Sequence, residues 1–410
     1  MQKPFMMGTE RYEAYLHHLR YMSSSASKFS LDLFQHVVSH NPHSNLFMSP
    51  SIIFVAMTMV QIGARNETRN QMISTLQFRS KDQQSILDAA SSFAYRLNKR
   101  SDHGILRSAN RLYPISGKGI LGDYRKAVVE HFASDVKHVC FISNPEGSRQ
   151  EINKWVEEVT NEKIKNLLPS GSINALTRMV VANAIYFKGH WMTQFQPQST
   201  TQTDFHTLDG KSLKIDMMKR EMKKVRYSKN AALDCKVLQL PYIGNEMYLI
   251  ESEMAMIVLL PNTVTGLLEM EKKINVQNMN QCIEDVFSPT VIVSIPKFKL
   301  ESSFQLSDTL SALGMPDVFN QNKADLSGMG TDLFVSQVFH KACVDVNEEG
   351  IEEAAATAAT MPAPPRTFIQ TFTADHPFMF LIWNYEMMAP LFVGRFTGLE
   401  TKAAQTRDEL

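Results

Sequence analysis

The chemistry of this 410-residue chain lies in one tract rather than in a cluster of acid–base groups. Asn347-Glu-Glu-Gly-Ile-Glu-Glu-Ala-Ala-Ala-Thr-Ala-Ala-Thr-Met361 is followed by Pro362-Ala-Pro-Pro-Arg-Thr367. Its small residues make a poor core, so the tract can sit exposed as a loop, yet alanine and threonine also fit a pleated sheet. Pro362, Pro364 and Pro365 lack the N–H that a central strand must donate, so any strand formed here should stop near Met361. They stiffen a tip that carries one basic side chain, Arg366. A segment able to be loop or strand is a mechanical part.

Other reactive patterns are weak. There is no G-x-S-x-G elbow and no H-E-x-x-H helix, so an enzyme is not expected. Cys140, Cys235, Cys282 and Cys343 are scattered without a C-x-x-C pair, and are expected to be free thiols, buried or partly so, with no metal site and no cofactor. The basic cluster Lys219, Arg220, Lys223, Lys224, Arg226 and Lys229 reads first as a solvated charged face, and second as a weak site for a glycosaminoglycan. The region 83–100 adds only Arg96, Lys99 and Arg100. With 42 basic and 42 acidic residues the chain has no net field for nucleic acid. Its longest apolar runs, 254–260 and 378–383, fall far short of the ~20 residues of a membrane span. Asn66-Glu-Thr68 is an N-glycosylation sequon.

Helical periodicity dominates the first half. Phe29, Leu31, Leu33, Phe34, Val37 and Val38 begin one helix. Ser49-Pro50 opens another with serine as its cap; its run 52–62 carries no charge and should be buried all round, with Gly63 as the stop. A third helix is expected over 150–168. Strands are expected at 179–187, 236–240, 254–260, 290–295 and 333–346, which without βαβ alternation predicts an α+β architecture. Residues 1–27 read as an extension: a short amphipathic helix with Tyr12, Leu16 and Leu19 on one stripe, then a linker, Ser23-Ser-Ser-Ala-Ser27. No secretory h-region is visible there. The tail 401–410 ends Arg-Asp-Glu-Leu410, one residue from the Lys-Asp-Glu-Leu retention signal. An extracellular or cell-surface location is the expectation, with the endoplasmic reticulum lumen and the cytoplasm as alternatives.

Five motifs resemble the serpin family, in the family's order. Asn45-Leu-Phe-Met-Ser-Pro50 with Gly63-Ala64 and Thr68 resembles its second-helix signature, and Asn153-Lys-Trp-Val156 with Thr160-Asn and Lys163-Ile164 the helix before its central sheet. Val181-Ala-Asn-Ala-Ile-Tyr-Phe-Lys-Gly189 with Trp191 is similar to a central strand and its aromatic cap. Val335-Ser-Gln-Val-Phe-His-Lys341 followed by Glu348-Glu-Gly350 resembles the strand and hinge before the reactive loop, and Phe372-Thr-Ala-Asp-His-Pro-Phe-Met-Phe-Leu-Ile382 the C-terminal signature. The resemblance implies one serpin domain over 28–400, with about eight to nine helices around three β-sheets and an exposed reactive loop at about 348–375. It also implies a monomer that traps a serine protease covalently as a suicide substrate.

On that resemblance, the hinge is Glu348, Glu349, Gly350, Ile351, Glu352, Glu353, Ala354, Ala355, Ala356 and Thr357, and Gly350 permits the pivot where insertion begins. The residues that must turn inward are Ile351, Glu353, Ala355, Thr357, Ala359 and Met361. Glu353 is the misfit, because burying an unpaired carboxylate costs several kcal/mol or forces its protonation. Ile351 is bulkier than the family's usual residue. Counting forward from Glu348 puts the cut after Pro364, a poor substrate. Counting back from Pro377 puts it between Arg366 and Thr367, which suits a trypsin-like enzyme; Phe368 is the chymotrypsin-like alternative, and Met361 or Ala363 the elastase-like one. The resemblance further implies that Ser49, Asn183 and His340 form a polar cluster where the sheet opens, with Ile52 in place of a second serine. It implies that Lys297 pairs with Glu348 to restrain the hinge. The terminal Arg-Asp-Glu-Leu410 resembles the ending of the family's collagen-specific chaperone, which makes a non-inhibitory binding protein of the secretory lumen the alternative.

Overall fold

The structure is a computed structural model that describes residues 9–98, 104–243, 252–349 and 369–398. Nine α-helices among these residues surround three β-sheets. The central sheet has five strands in the order β11 (Phe298–Gln305), β12 (Gln337–Val346), β4 (Met179–Gly189), β2 (Gly104–Pro114) and β3 (Asp135–Val136). A six-stranded sheet runs β1 (Leu46–Met48), β15 (Ala389–Phe396), β14 (Phe378–Asn384), β9 (Met254–Pro261), β8 (Cys235–Pro241) and β7 (Arg226–Asn230), and a four-stranded sheet runs β13 (Gln370–Thr373), β10 (Val291–Pro296), β6 (Ser212–Met222) and β5 (Thr201–His206). No helix among the described residues is long and apolar enough to cross a membrane.

Helix α2 (Pro50–Gly63) is buried at every position and packs against β4 and β15, as its uncharged run requires. Its two ends differ from the sequence expectation. Ser49 makes no side-chain cap; its hydroxyl donates instead to the Leu391 carbonyl at 2.6 Å. Gly63 does not stop the helix through a left-handed turn. A Cβ there would lie 2.7 Å from Met329 Cβ, so the glycine is needed for close packing.

The expected linker at 23–27 is helix. Helix α1 runs unbroken from Thr9–His40, and its buried stripe Tyr15, Leu19, Met22, Ala26, Phe29 and Leu33 passes straight through the serines. Serine composition misleads here because the hydroxyls are satisfied locally: Ser23 Oγ donates to the Leu19 carbonyl and Ser30 Oγ to that of Ala26, both at 2.6 Å. Tyr15 accepts from Arg96 Nε at 2.6 Å, and Arg96 also pairs with Glu386, which ties α1 to α4 (Gln83–Asn98) and the turn after β14 (Phe378–Asn384).

The helix expected over 150–168 is α6 (Pro145–Val159). Asn161 and Glu162 take left-handed φ of 50° and 59° and turn the chain back. Asn153 then grips the returning segment at both Leu168 N and Leu168 O, at 2.8 and 2.9 Å. The strand expected from 333 starts only at Gln337. Strands β2, β5 (Thr201–His206), β6 (Ser212–Met222), β7 (Arg226–Asn230) and β11 were not expected; much of their length is polar.

Candidate functional site

Strands β4 and β12 are parallel and hydrogen-bonded directly to each other, from Val180↔Gln337 to Phe187↔Val344. No strand lies between them along this stretch. A further strand can enter the middle of the sheet only by breaking that ladder and replacing it with two, one on each side.

The chain leaves β12 at Val346 and is held at once by the segment that follows β4. Trp191 Nε1 donates to the Asn347 carbonyl at 2.7 Å, Phe195 N to that of Glu348 at 3.2 Å, and Trp191 N to that of Glu349 at 3.0 Å. Side chains add to these three. Lys297 Nζ stands 2.9 Å from Glu348 Oε2, and Thr200 Oγ1 donates to Glu348 Oε1 at 2.8 Å. Lys188 Nζ lies 2.8 Å and His190 Nε2 3.5 Å from the Glu349 carboxylate. Burial opposes ionisation of Glu348, but the hydrogen bonds from Lys297 and Thr200 outweigh it and hold its pKa below the usual range. The hydrogen bond to Glu348 raises the pKa of Lys297. The structure thus brings together the two residues expected to restrain the hinge. Sequence reasoning missed Thr200, Lys188 and His190, which lie far from Glu348 in the chain.

Ser49, Asn183 and His340 meet beneath the same strand pair, all fully buried. Ser49 N donates to His340 Nε2 at 3.1 Å, and His340 Nδ1 lies 2.5 Å from Asn183 Oδ1. Nε2 must therefore accept and Nδ1 must carry the proton, a neutral tautomer assigned from the network. The His340–Asn183 bond joins β12 to β4, so it sits across the line along which the sheet would open. Ser51 Oγ, donating to the Pro390 carbonyl at 2.7 Å, helps fix the start of α2 and was not singled out.

The remaining hinge residues Gly350, Ile351, Glu352, Glu353, Ala354, Ala355, Ala356 and Thr357 lie outside the described residues. So do the bait candidates Met361, Ala363, Pro364, Arg366, Thr367 and Phe368. Of the basic cluster, Lys219 and Arg220 lie in β6, Lys223 and Lys224 in the turn after it, and Arg226 and Lys229 in β7. Arg220 donates to the Gln194 carbonyl. Cys235, Cys282 and Cys343 are buried and free, while Cys140 is exposed. In the sequon, Asn66 Nδ2 donates to Asp325 Oδ2 at 2.7 Å.

Comparison with known proteins agrees with this arrangement. A sequence model of the family described as serpin (serine protease inhibitor) matches residues 24–398. The human leukocyte elastase inhibitor is 38% identical over 385 residues, which are 92% of this chain and 99% of that protein. The leukocyte elastase inhibitor of Xenopus laevis is 37% identical over 388 residues, with the same coverage. Among solved structures, uncleaved ovalbumin is 29% identical and matches with a TM-score of 0.82, over 92% of this chain and all of that one.

Proposed function

Because the chain belongs to the serpin (serine protease inhibitor) family, we propose that it traps serine proteases as a suicide substrate by inserting its cut loop between β4 and β12. The observation that carries this is the directly bonded parallel pair β4–β12, with the chain clamped where it leaves β12. A closed sheet with a hinge at its end has room to gain a strand and something to release.

The protease serine attacks the bait carbonyl, and the peptide C–N bond breaks. The chain beyond the cut departs with the new amine, and an ester links the inhibitor to the enzyme. The freed hinge side then enters the sheet as a strand. At ~3.3 Å per residue, ~15 residues carry the attached enzyme ~50 Å, far enough to reach the opposite pole, where its active site is distorted before water can cleave the ester. Arg366–Thr367 is the favoured bond and a trypsin-like enzyme the favoured target, on the basic side chain and the count back from Pro377. A second reading has support from the comparisons: the relatives at 37–38% identity are named elastase inhibitors, and Met361 or Ala363 would suit an elastase.

Incubation with trypsin, chymotrypsin and elastase, followed by a denaturing gel, tests both. A band that survives denaturation at the summed mass supports the mechanism. The mass of the released C-terminal peptide identifies the bond, since a peptide beginning at Thr367 assigns Arg366 and one beginning at Pro362 or Pro364 assigns the elastase-like sites. Loop cleavage by all three enzymes with no covalent band refutes inhibition and favours the non-inhibitory alternative.

A further inference from the structure

The turn joining β6 to β7 edges a cavity of about 300 Å³. Its wall includes the buried Trp191, Phe195 and Leu240, and its rim the exposed Lys223, Lys224 and Arg226. That volume is at the lower end of the ~300–1,000 Å³ typical of small-molecule sites. The polar part of the wall is already occupied. Tyr385 OH donates to Gln239 Oε1 at 2.6 Å, and Gln239 Nε2 donates to the carbonyls of Cys282 and Ile283 at 3.0 Å.

No acidic side chain among the described residues lining the cavity offsets the rim. Among the described residues neither Lys223 nor Lys224 has an ion-pair partner, and the Arg226 guanidinium sits 5.4 Å from the centroid of the Tyr385 ring. Lys224 also holds a left-handed backbone, φ 54°, where glycine or asparagine would cost less. Three adjacent cations over an apolar floor are complementary to a molecule with one anionic head and an apolar body. The cavity involves only part of the basic cluster. Lys219 and Arg220 do not line the cavity, and Arg220 is engaged with the Gln194 carbonyl.

We propose that this cavity binds a small amphipathic organic anion, a carboxylate or sulfonate on an aromatic or aliphatic body, with its head among Lys223, Lys224 and Arg226 and its body against Trp191 and Leu240. The intact protein is titrated with 8-anilinonaphthalene-1-sulfonate and with its uncharged counterpart, N-phenyl-1-naphthylamine. The sulfonate is expected to saturate a single site, to be displaced by decanoate, and to bind at least tenfold more tightly than the neutral probe. Lys223→Glu combined with Lys224→Glu should weaken it at least tenfold with the melting temperature unchanged. Lys224→Gly, which relieves the left-handed backbone and cannot unfold the turn by strain, should weaken it at least threefold. Equal affinity for the two probes, an affinity within twofold of wild type in both variants, or retention on heparin with no saturable sulfonate site would each overturn the proposal.

Discussion

His340 uses both ring nitrogens while neutral, one donating to Asn183 and the other accepting from Ser49. Burial pushes its pKa down to about 3, and protonation would also set two donors, Ser49 N–H and Nε2–H, against each other. The sign follows from linkage. Above the ordinary histidine pKa of ~6.5 both folded and unfolded states are neutral and the group has no effect. Below it only the unfolded chain takes the proton, so stability falls by up to ~1.4 kcal/mol per pH unit until about pH 3. Glu271, raised to about 7 by burial against the pull of Arg395, titrates in the same window with the opposite sign. The informative quantity is therefore the difference between wild type and His340→Gln in denaturant unfolding. Whatever offset the substitution has at pH 8, that difference should move by ~2 kcal/mol in favour of the variant by pH 5; parallel stability curves would show that His340 is not held neutral. Glu353 poses a residue-scale question about insertion. If it turns inward, its carboxylate opposes the step, and Glu353→Ala should lower the number of inhibitor molecules consumed per protease trapped, roughly twofold or more for ~1 kcal/mol of relieved cost. No change in that stoichiometry would mean Glu353 stays in solvent.

At the scale of elements, the hinge clamp and α2 are the parts whose roles depend on neighbours. Glu348→Ala removes the bonds from Lys297 and Thr200 together. Since Lys297 is nearly half exposed, the pair contributes only modestly, and the variant should lose ~1 kcal/mol, a melting temperature lower by ~1 °C in the intact protein of this length. An unchanged melting temperature would mean the backbone bonds from Trp191 and Phe195 suffice. Gly63→Ala should destabilise by ~1–3 kcal/mol in the same assay, because Met329 cannot withdraw its Cβ without moving backbone. A neutral result would show that α2 can shift. The same elements show what a sequence reader can and cannot see. Helix α2 and strands β4 and β9 (Met254–Pro261) are mostly apolar and buried at nearly every position, and were legible as runs. Strands β5 and β6 bury few of their residues, so charged and polar side chains masked their period. The serines of α1 read as a linker because composition does not reveal that a hydroxyl can satisfy itself on the preceding turn.

Taken as a whole molecule, the central sheet has five strands among the described residues, and the proposed mechanism would add a sixth. Cleavage of the loop should allow a strand of about ten residues to pair on both sides. At roughly 1 kcal/mol net per ladder bond the melting temperature should rise on the order of 10 °C or more, as read by calorimetry before and after limited proteolysis. A cut protein that melts where the intact one does would mean the loop does not insert, whatever protease made the cut. The family was determined by the sequence alone, because it depends on motifs in a fixed order, and the expectation of an insertable tract limited by prolines rests on local backbone chemistry in that same sequence. Only the tertiary structure decided that β4 and β12 are closed on each other, that Lys188, His190 and Thr200 join Lys297 in holding the exit of β12, and that three lysine and arginine side chains border an apolar cavity. Each of those depends on contacts between segments distant in the chain, set by packing that no local pattern of residues encodes.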